Sequence, residues 1–323
     1  MFARSLLAGA SLALLLAAPN AHAEYPSKPI TLVVNFTAGG PLDIEARLIA
    51  QHASRLLGQS VIVENRPGAA GNIGAGAVAR AKPDGYTLLI TTDTLATVNP
   101  HVYPSMPFDP IKDFRPVALA GAFGQVMVVR PELEVPTLDA LLAQAKANPM
   151  AYATAGSASP GHLTFEMFNQ AADLDLTHIP YRGNAQATND LLGGQVETGF
   201  LAIPGVLPHI QQGKLVALAV SGQERDPALP DVPAVAENQQ AGLRDFDARF
   251  AYLVLMPAET PDAIVDRWEE VLGEVFQDEA FQERLASLGI RPPFAGRQAA
   301  TDWVDTQSEK WAKVVQQANI TVE

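Results

Sequence analysis

Two glycine-rich segments carry residue types that bind a small anion, and each lies between a predicted strand and a predicted helix. They are Thr37-Ala38-Gly39-Gly40-Pro41-Leu42-Asp43 and Gly156-Ser157-Ala158-Ser159-Pro160-Gly161-His162. Glycine lets the backbone approach a ligand closely, and the first turn of a helix presents N–H groups that lack intrahelical acceptors. Such groups suit a carboxylate. The candidate contacts in the first segment are Thr37, Ala38, Gly39, Gly40 and Asp43, although Asp43 can instead cap the helix and the segment can be an ordinary tight turn.

The second segment is compatible with two chemistries. As an anion site it supplies Gly156, Ser157, Ser159, Gly161 and His162, whose amides, hydroxyls and imidazole converge at a helix start. As a hydrolase site it would use Ser159 as the nucleophile and His162 as the base. The spacing differs from the G-x-S-x-G turn of serine hydrolases because position 157 is serine. Anion binding is therefore favoured, and a secreted serine hydrolase is the alternative.

Two arginines are the candidate charged partners of a carboxylate. Arg182 lies in Tyr181-Arg182-Gly183-Asn184 at the end of a predicted strand, and Arg249 lies at a presumed crossing between two lobes. A guanidinium group can pair with a carboxylate through two parallel hydrogen bonds. Either residue can equally be a surface arginine, which is the commoner position of an isolated arginine.

The sequence predicts no metal and no cofactor. The six histidines show no metal-ligand spacing, and the chain has no cysteine to form a disulfide, a thiolate site or a nucleophile. The segment Asn65 to Asn72 lacks the Gly-Lys-Ser/Thr of a nucleotide loop. Gly74-Ala75-Gly76-Ala77-Val78-Ala79 matches a dinucleotide-binding pattern, but its glycines fall inside a predicted helix instead of at a strand end, so the match is rejected.

The elements that position these residues follow a repeating order. Short apolar runs such as Ile30 to Phe36 and Tyr86 to Thr92 alternate with helical periodicity, which predicts an α/β fold with parallel strands. We expect two doubly wound sheets, with residues 24–123 and 251–323 in lobe 1 and residues 124–250 in an inserted lobe 2. A two-crossing hinge near Gly121–Gly124 and Arg249–Tyr252 joins them. Ligands bind beyond the carboxyl ends of such strands, so the lobes would share one cleft.

The N-terminal segment predicts export. Arg4 precedes an apolar run from Leu6 to Ala18, and Ala21-His22-Ala23 has the small-x-small pattern of a signal-peptidase site. We expect residues 1–23 to be a signal peptide cleaved after Ala23 and the mature chain to be periplasmic. A formal net charge of -13 disfavours nucleic acid and anionic membranes as partners, although local backbone dipoles can still bind a small anion.

Several segments together resemble a known family. They are YPSKPITLVVNFTAGGPLDIEAR, VIVENRPGAAGNIGA, KPDGYTLLI, TAGSASPGHL, IPYRG and LPHIQQGKLVALAVSG. They are similar to segments of the Bug family, the TctC-type receptors of tripartite tricarboxylate transporters, and they occur in the family's order over essentially the whole mature chain. The resemblance implies a periplasmic solute-binding protein with a two-lobed Venus flytrap fold. Such a protein holds a carboxylate between two loops, partly through water, and is not an enzyme.

The resemblance also implies site residues and partners. The two family loops fall on Thr37 to Asp43 and on Gly156 to His162. Tyr181 to Ala185 would complete the wall of lobe 2, and Thr92 and Asp93 would complete the wall of lobe 1. The expected partners are a small carboxylate and either the membrane subunits of a transporter or a sensor domain. We expect the protein to be a monomer.

Two departures from the family pattern bear on the ligand. Many members carry an aspartate where this chain has Leu201, and an acid there could hold an ammonium group, so its loss disfavours an amino acid. The hinge strand commonly carries a tryptophan where this chain has Phe250, with Arg249 beside it. We therefore hypothesise a dicarboxylate or an aromatic carboxylate, whose distal group would meet Arg182 or Arg249.

Overall fold

The computed structural model describes residues 25–287 and 294–322, which contain two β-sheets. Their strands are Ile30–Val34 (β1), Val61–Asn65 (β2), Thr87–Thr92 (β3), Phe114–Phe123 (β4), Gln125–Val129 (β5), Ala151–Thr154 (β6), Thr177–Pro180 (β7), Thr198–Ala202 (β8), Val216–Val220 (β9), Phe250–Pro257 (β10) and Ala295–Gly296 (β11). One sheet has the strand order β11-β4-β10-β3-β1-β2, and the other has the order β7-β6-β8-β5-β9. Each sheet forms the centre of one lobe.

Helices flank both sheets. They are Pro41–Leu57 (α1), Asn72–Ala79 (α2), Thr94–Thr97 (α3), Asn99–Val102 (α4), Leu138–Ala147 (α5), Pro160–Ala172 (α6), Asn184–Leu192 (α7), Ile203–Gln211 (α8), Asp262–Gln277 (α9), Glu279–Ser287 (α10) and Arg297–Gln317 (α11). The predicted two-lobed α/β fold is therefore confirmed.

The first helix shows how the sequence fixes an element beside the cleft. Pro41 suits a first helical turn, because its φ is preset and its missing N–H has no partner to lose there. Gly58 ends the helix in the left-handed conformation, with φ 64°. Ala46, Ile49 and Ala53 recur at helical spacing and are fully buried against the sheet. This packing holds the N-terminus of α1 at the carboxyl end of β1.

Each sheet contains parallel strands that are buried on both faces. β1 pairs in parallel with β2 and β3, and β6 pairs in parallel with β7 and β8. The consecutive residues Leu32 and Val33 are buried in different apolar clusters, because side chains alternate between the two faces of a strand. The parallel strands therefore all end at the edge of their sheet that carries the βα loops.

The chain passes between the sheets at two adjacent places. Only Gly124 separates the end of β4 from the start of β5, and the chain returns to the first sheet at Phe250, which pairs with Phe123. Buried Ser221 links the two crossings. Its Oγ accepts a hydrogen bond from the backbone N–H of Gln125 at 2.8 Å and donates one to the carbonyl of Ala248 at 2.7 Å.

The structure differs from the predicted elements in several places. The sheets are mixed, because β10 and β5 each pair antiparallel with both neighbours. Each of these strands enters its sheet from a crossing, at the edge where the parallel strands end.

The sequence did not predict a strand at Phe114–Phe123 or a helix at Ile203–Gln211, since Pro204 and Pro208 interrupt that helix's pattern. The predicted signal peptide lies outside the described residues.

Candidate ligand-binding site

A cavity of about 450 Å³ lies between the two lobes, beside the crossings. It is formed by the starts of four helices, by the ends of β1 and β3, and by residues of the crossing strands. The lining residues are Phe36, Thr37, Ala38, Gly39, Gly40, Pro41, Leu42, Thr92, Phe123, Gln125, Ala155, Ser159, Pro160, Gly161, Arg182, Gly183, Asn184, Ala185, Ala202, Pro204, Gly205 and Tyr252. The predicted site residues that it brings together are Thr37, Ala38, Gly39, Gly40, Thr92, Ser159, Gly161, Arg182 and Gly183.

The start of α1 forms the lobe 1 side of the cavity. Gly40 is the N-cap residue and provides no side-chain acceptor for the N–H groups of the first turn. Pro41 lacks an N–H group, so the free donors of this turn begin at Leu42. Gly39 adopts a left-handed φ of 79°, which glycine tolerates without a steric penalty. The result is a bare helix terminus that presents backbone donors to the cavity.

Asp43 lies behind this turn and does not line the cavity. One of its carboxylate oxygens accepts hydrogen bonds from the backbone N–H of Gly39 at 2.8 Å and from Nε of Arg47 at 3.0 Å, and the other accepts from Asn65 at 2.9 Å. Burial by itself would raise the pKa of Asp43, but these hydrogen bonds lower it below the usual value. Asp43 therefore holds the loop in place as an ionised and paired group.

The start of α6 forms the opposite wall, in lobe 2. Ser159 is the N-cap residue, and its hydroxyl accepts a hydrogen bond from the backbone N–H of His162 at 3.4 Å. Gly161 packs so closely on β8 that an added Cβ atom would lie 2.3 Å from the carbonyl oxygen of Phe200. Only glycine fits there, and its close approach sets the position of the helix start against the sheet.

His162 is buried beneath this loop and does not line the cavity. Its Nδ1 accepts a hydrogen bond from the backbone N–H of Ala158 at 3.0 Å, and Ala158 has a left-handed φ of 57°. The ring stacks on His178 with 3.7 Å between centroids. Burial, helped by the neighbouring His178, lowers the pKa of His162 to about 3. Within the described structure the imidazole makes no hydrogen bond with the hydroxyl of Ser159, so the pair lacks the contact that a nucleophile and its base need.

Two more helices of lobe 2 begin at the cavity. Gly183 is the N-cap of α7 and has φ 116°, and Ala202 is the N-cap of α8. Neither terminus has a side-chain cap among the described residues. Arg182 precedes α7, is exposed, and makes no ion pair within the part of the chain that the structure describes. Its guanidinium group is therefore available to a ligand.

Phe123, Tyr252 and Gln125 form the floor of the cavity. The sequence analysis did not predict any of them as a ligand contact. The rings of Phe123 and Tyr252 stack with 4.5 Å between centroids. Gln125 is 2% exposed, and its side-chain N–H donates only a long hydrogen bond of 3.4 Å to the carbonyl of Gly124. Gln125 is the one polar residue of the otherwise apolar β5, and this pattern could have predicted a functional role for it. No comparable signal pointed to Phe123 or Tyr252, because aromatic residues in strands usually belong to the core.

The remaining predicted residues lie outside the cavity. Gly156, Ser157 and Tyr181 lie beside the loops of lobe 2 but are not among the lining residues. Asp93 is fully buried behind Thr92. Arg249 lines a separate cavity of about 510 Å³ on the other side of Phe123, and both carboxylate oxygens of Asp247 bind its guanidinium group at 2.7 and 2.8 Å.

The two departures from the family pattern also have defined positions. Leu201 is fully buried in an apolar cluster of lobe 2 and is not among the lining residues. Phe250 is fully buried and stacks on Trp311 with 4.7 Å between ring centroids. Neither side chain contacts the cavity, so the charge of its lining is the better guide to the ligand.

The lining has one charged side chain, Arg182, and no carboxylate. Four helix N-termini add partial positive charge, each worth about 0.3–1 kcal/mol toward an anion. Among residues 25–287 and 294–322, no group of three or more His, Cys, Asp or Glu side chains is placed to hold a metal ion. No helix within these ranges is long and apolar enough to cross a membrane. The geometry is that of an anion-binding cleft.

Comparisons with known proteins agree with this geometry. Residues 45–320 match the model of the tripartite tricarboxylate transporter family receptors. Protein BugT of Bordetella pertussis is 36% identical over 305 residues, which are 94% of this chain and 93% of BugT. The structure of R. palustris Rpa4515 with adipate has a TM-score of 0.87 and 32% identity, and the match covers 92% of this chain and 99% of Rpa4515. The structure of MatC from Rhodopseudomonas palustris with bound malate has a TM-score of 0.82 and 29% identity. The match covers 90% of this chain and 100% of MatC.

Proposed function

This chain belongs to the tripartite tricarboxylate transporter receptors, the Bug or TctC-type periplasmic solute-binding proteins, and we propose that it captures a small dicarboxylate between its lobes. The observation that carries the proposal is the charge pattern of the cavity. Four helix starts, three of them without a side-chain cap in the described structure, and one guanidinium group face it, and no Asp, Glu or Lys lines it. An amino acid would leave its ammonium group without an anionic partner there, which costs binding free energy.

Two carboxylates fit the cavity better than one because its donors lie on both lobes. The bare N-terminus of α1 belongs to lobe 1, and Arg182 with the starts of α6, α7 and α8 belongs to lobe 2. Between them, the rings of Phe123 and Tyr252 offer an apolar floor to the middle of the ligand. Adipate in Rpa4515 and malate in MatC are both dicarboxylates, which supports the same ligand class for this chain.

The binding mechanism we propose is lobe closure. We assign residues 24–123 and 251–323 to lobe 1 and residues 124–250 to lobe 2, with the hinge at the two crossings beside Gly124 and Phe250. A ligand that bridges the lobes binds the closed form better than the open form, and this difference in affinity drives closure. Closure removes water, which strengthens each charge-assisted hydrogen bond.

The proposal also assigns a location and partners. Residues 1–23 are a signal peptide cleaved after Ala23, and the mature monomer works in the periplasm. It delivers its ligand to the membrane subunits of a tripartite transporter or presents it to a sensor domain. The protein performs no catalysis, because Ser159 is a helix cap and the imidazole of His162 is used to hold the loop.

A thermal-shift screen of the mature protein, residues 24–323, tests the proposal. The panel holds mono-, di- and tricarboxylates, aromatic acids and amino acids. A ligand at about 100 times its Kd adds ~2.7 kcal/mol to the free energy of unfolding, which is a shift of several degrees for a chain of this size. Ester hydrolysis is assayed in parallel.

We expect a clear shift with dicarboxylates and none with amino acids. A shift only with aromatic monocarboxylates would replace the dicarboxylate with that class. Tight binding of an amino acid would contradict the argument from the lining charges. Turnover of an ester that is lost in Ser159→Ala would restore the hydrolase alternative.

A further inference from the structure

Asp93 is a buried carboxyl group directly behind the lobe 1 wall. It follows Thr92, a cavity residue, and is 0% exposed. Its Oδ2 accepts a hydrogen bond from Nε1 of Trp303 at 2.6 Å, and its backbone N–H donates to the carbonyl of Ala251 at 2.9 Å. Ala251 in turn precedes Tyr252 on the hinge strand β10. Asp93 thus joins the end of β3, the hinge strand and helix α11.

One oxygen of this carboxyl group is left without a partner. Within residues 25–287 and 294–322, Oδ1 of Asp93 accepts no hydrogen bond. The charge of Lys310 on α11 acts on Asp93, but its ammonium group donates to the backbone carbonyl of Asp247 at 3.2 Å and not to Asp93. An ionised carboxylate that is buried with one bare oxygen is more costly than the protonated acid, which carries no charge.

Two more buried titratable groups lie beside Asp93, and burial is what favours the protonated acid. The hydroxyl of Tyr252 is buried, and it interacts with both Asp93 and Glu45. Glu45 of α1 is fully buried, has no hydrogen-bond partner for either oxygen among the described residues, and has its pKa raised well above the usual value by burial. Burial likewise raises the pKa of Asp93 to about 7, although the Trp303 hydrogen bond and the charge of Lys310 oppose the shift.

We propose that Asp93 acts from behind the binding site, where its protonated form keeps the lobe 1 wall at Thr92 and Tyr252 neutral toward an anion. An anion bound against Thr92 and Tyr252 brings a negative charge close to Asp93. Binding therefore takes up a proton, and ionisation of Asp93 weakens binding. This inference rests on the proposed function of the cleft and adds a proton linkage to it.

The test measures adipate binding by calorimetry from about pH 6 to about pH 8.5, where the diacid is ionised throughout. We expect the affinity of the wild type to fall about tenfold over this range, the ratio that corresponds to one unit of pKa change on binding. Asp93→Asn keeps an acceptor for Trp303 and cannot ionise, so its affinity should stay high and flat. Asp305→Asn is the matched control. It removes an exposed acid from α11, the helix that carries Trp303, and its affinity should follow that of the wild type.

A ligand-free measurement separates the two proposals. The indole N–H resonance of Trp303 should titrate near neutral pH in the wild type and not in Asp93→Asn. Trp303→Phe removes a hydrogen bond that lowers the pKa of Asp93, so the midpoint of the adipate pH profile should move to higher pH. It also assigns the resonance, and it serves as the second variant if Asp93→Asn does not fold.

Each result has a defined meaning. A flat wild-type affinity, an Asp93→Asn profile that still falls, or an indole resonance that does not titrate overturns the role of Asp93 while leaving the receptor function intact. If neither adipate nor another diacid binds at any pH, the proposed function fails, and the proton linkage fails with it. A falling wild-type profile that is flat only in Asp93→Asn supports both.

Discussion

The cavity has one charged side chain, so removing it should change ligand selectivity and not only affinity. In Arg182→Ala the cleft keeps its four helix starts and loses its single guanidinium group. A dicarboxylate would lose the partner of one carboxylate, and a monocarboxylate of similar length would lose little. The expected signature is a difference between two ligands within one variant, which a general loss of stability cannot imitate.

The size of the effect follows from the exposure of Arg182. A charge-assisted hydrogen bond contributes about 1.5–3 kcal/mol when water is excluded, and an exposed ion pair contributes about 0.2–1 kcal/mol. Arg182 is exposed without ligand and would be covered on closure. We therefore expect a loss of about 1.5–2.5 kcal/mol for adipate, or about 10- to 70-fold in Kd, and less than about threefold for hexanoate.

Isothermal titration calorimetry of both ligands with the wild type, Arg182→Ala and Arg182→Lys provides the test. Arg244→Ala, which removes an exposed arginine of lobe 2 outside the cavity, is the control and should bind both ligands normally. Equal losses for adipate and hexanoate in Arg182→Ala would refute the pairing of Arg182 with a second carboxylate. Unchanged adipate binding would remove Arg182 from the site altogether.

Three further changes test the loops and the buried acid. Gly161→Ala should weaken adipate binding and destabilise the fold by about 1–3 kcal/mol, because the new Cβ collides with the carbonyl of Phe200; chemical denaturation and calorimetry measure both. His162→Ala removes the acceptor of the Ala158 N–H group, so the loop should relax and the Kd for adipate should rise about tenfold by calorimetry. Asp93→Asn should gain stability relative to the wild type as pH rises from about 4 to about 7, by an amount on the order of 4 kcal/mol, in thermal melts across that range.

The sign of the last prediction follows from proton linkage. The folded-state pKa of Asp93 lies above that of an unfolded aspartate, so the folded protein holds a proton that the unfolded chain has released. The contribution of Asp93 to stability is therefore full below about pH 4 and is lost as pH rises to about 7, whereas asparagine has no such loss. A constant difference between the two proteins over this range would contradict the raised pKa.

Matched variants distinguish the other two predictions from general damage. Gly205→Ala places a Cβ atom 3.8 Å from its nearest neighbour, an ordinary contact, and should leave stability nearly unchanged. His162→Asn offers an amide oxygen near the position of Nδ1 and should restore part of the adipate affinity that His162→Ala loses. If Gly161→Ala is as stable as the wild type, or if His162→Asn rescues nothing, the proposed positioning of this loop is wrong.

The sequence predicted the elements whose signals are local. β1 and β3 are continuous apolar runs, so their bounds in the structure lie close to the predicted ones. The antiparallel placement of β5 and β10 was not predictable from periodicity. It depends on where the chain enters each sheet from the other lobe, which is a property of the whole topology.

The candidate site divides in the same way. Thr37 to Gly40 and Ser159 to Gly161 line the cavity because they are βα loops at strand ends, and this rule is readable from sequence. His162 and Asp93 have the right chemistry, but they lie one layer behind the wall, and burial depth is not encoded in a local motif. Tyr252 reaches the cavity because its strand crosses between lobes there.

A protein with a negative net charge needs a local positive potential in its cleft if it is to bind a carboxylate there. The formal net charge of -13 repels anions at long range, but about 8 Å of screening in physiological salt limits that repulsion near the surface. The lining of the cleft holds the starts of four helices and Arg182, and the acids behind it are either paired or buried where the protonated form is favoured. Asp43 is paired with Arg47, while Glu45 and Asp93 are buried where the protonated form is favoured. The cleft can therefore be electropositive within an acidic exterior, because Asp43 is paired, burial favours the protonated form of Glu45 and Asp93, and the donors are backbone groups and Arg182.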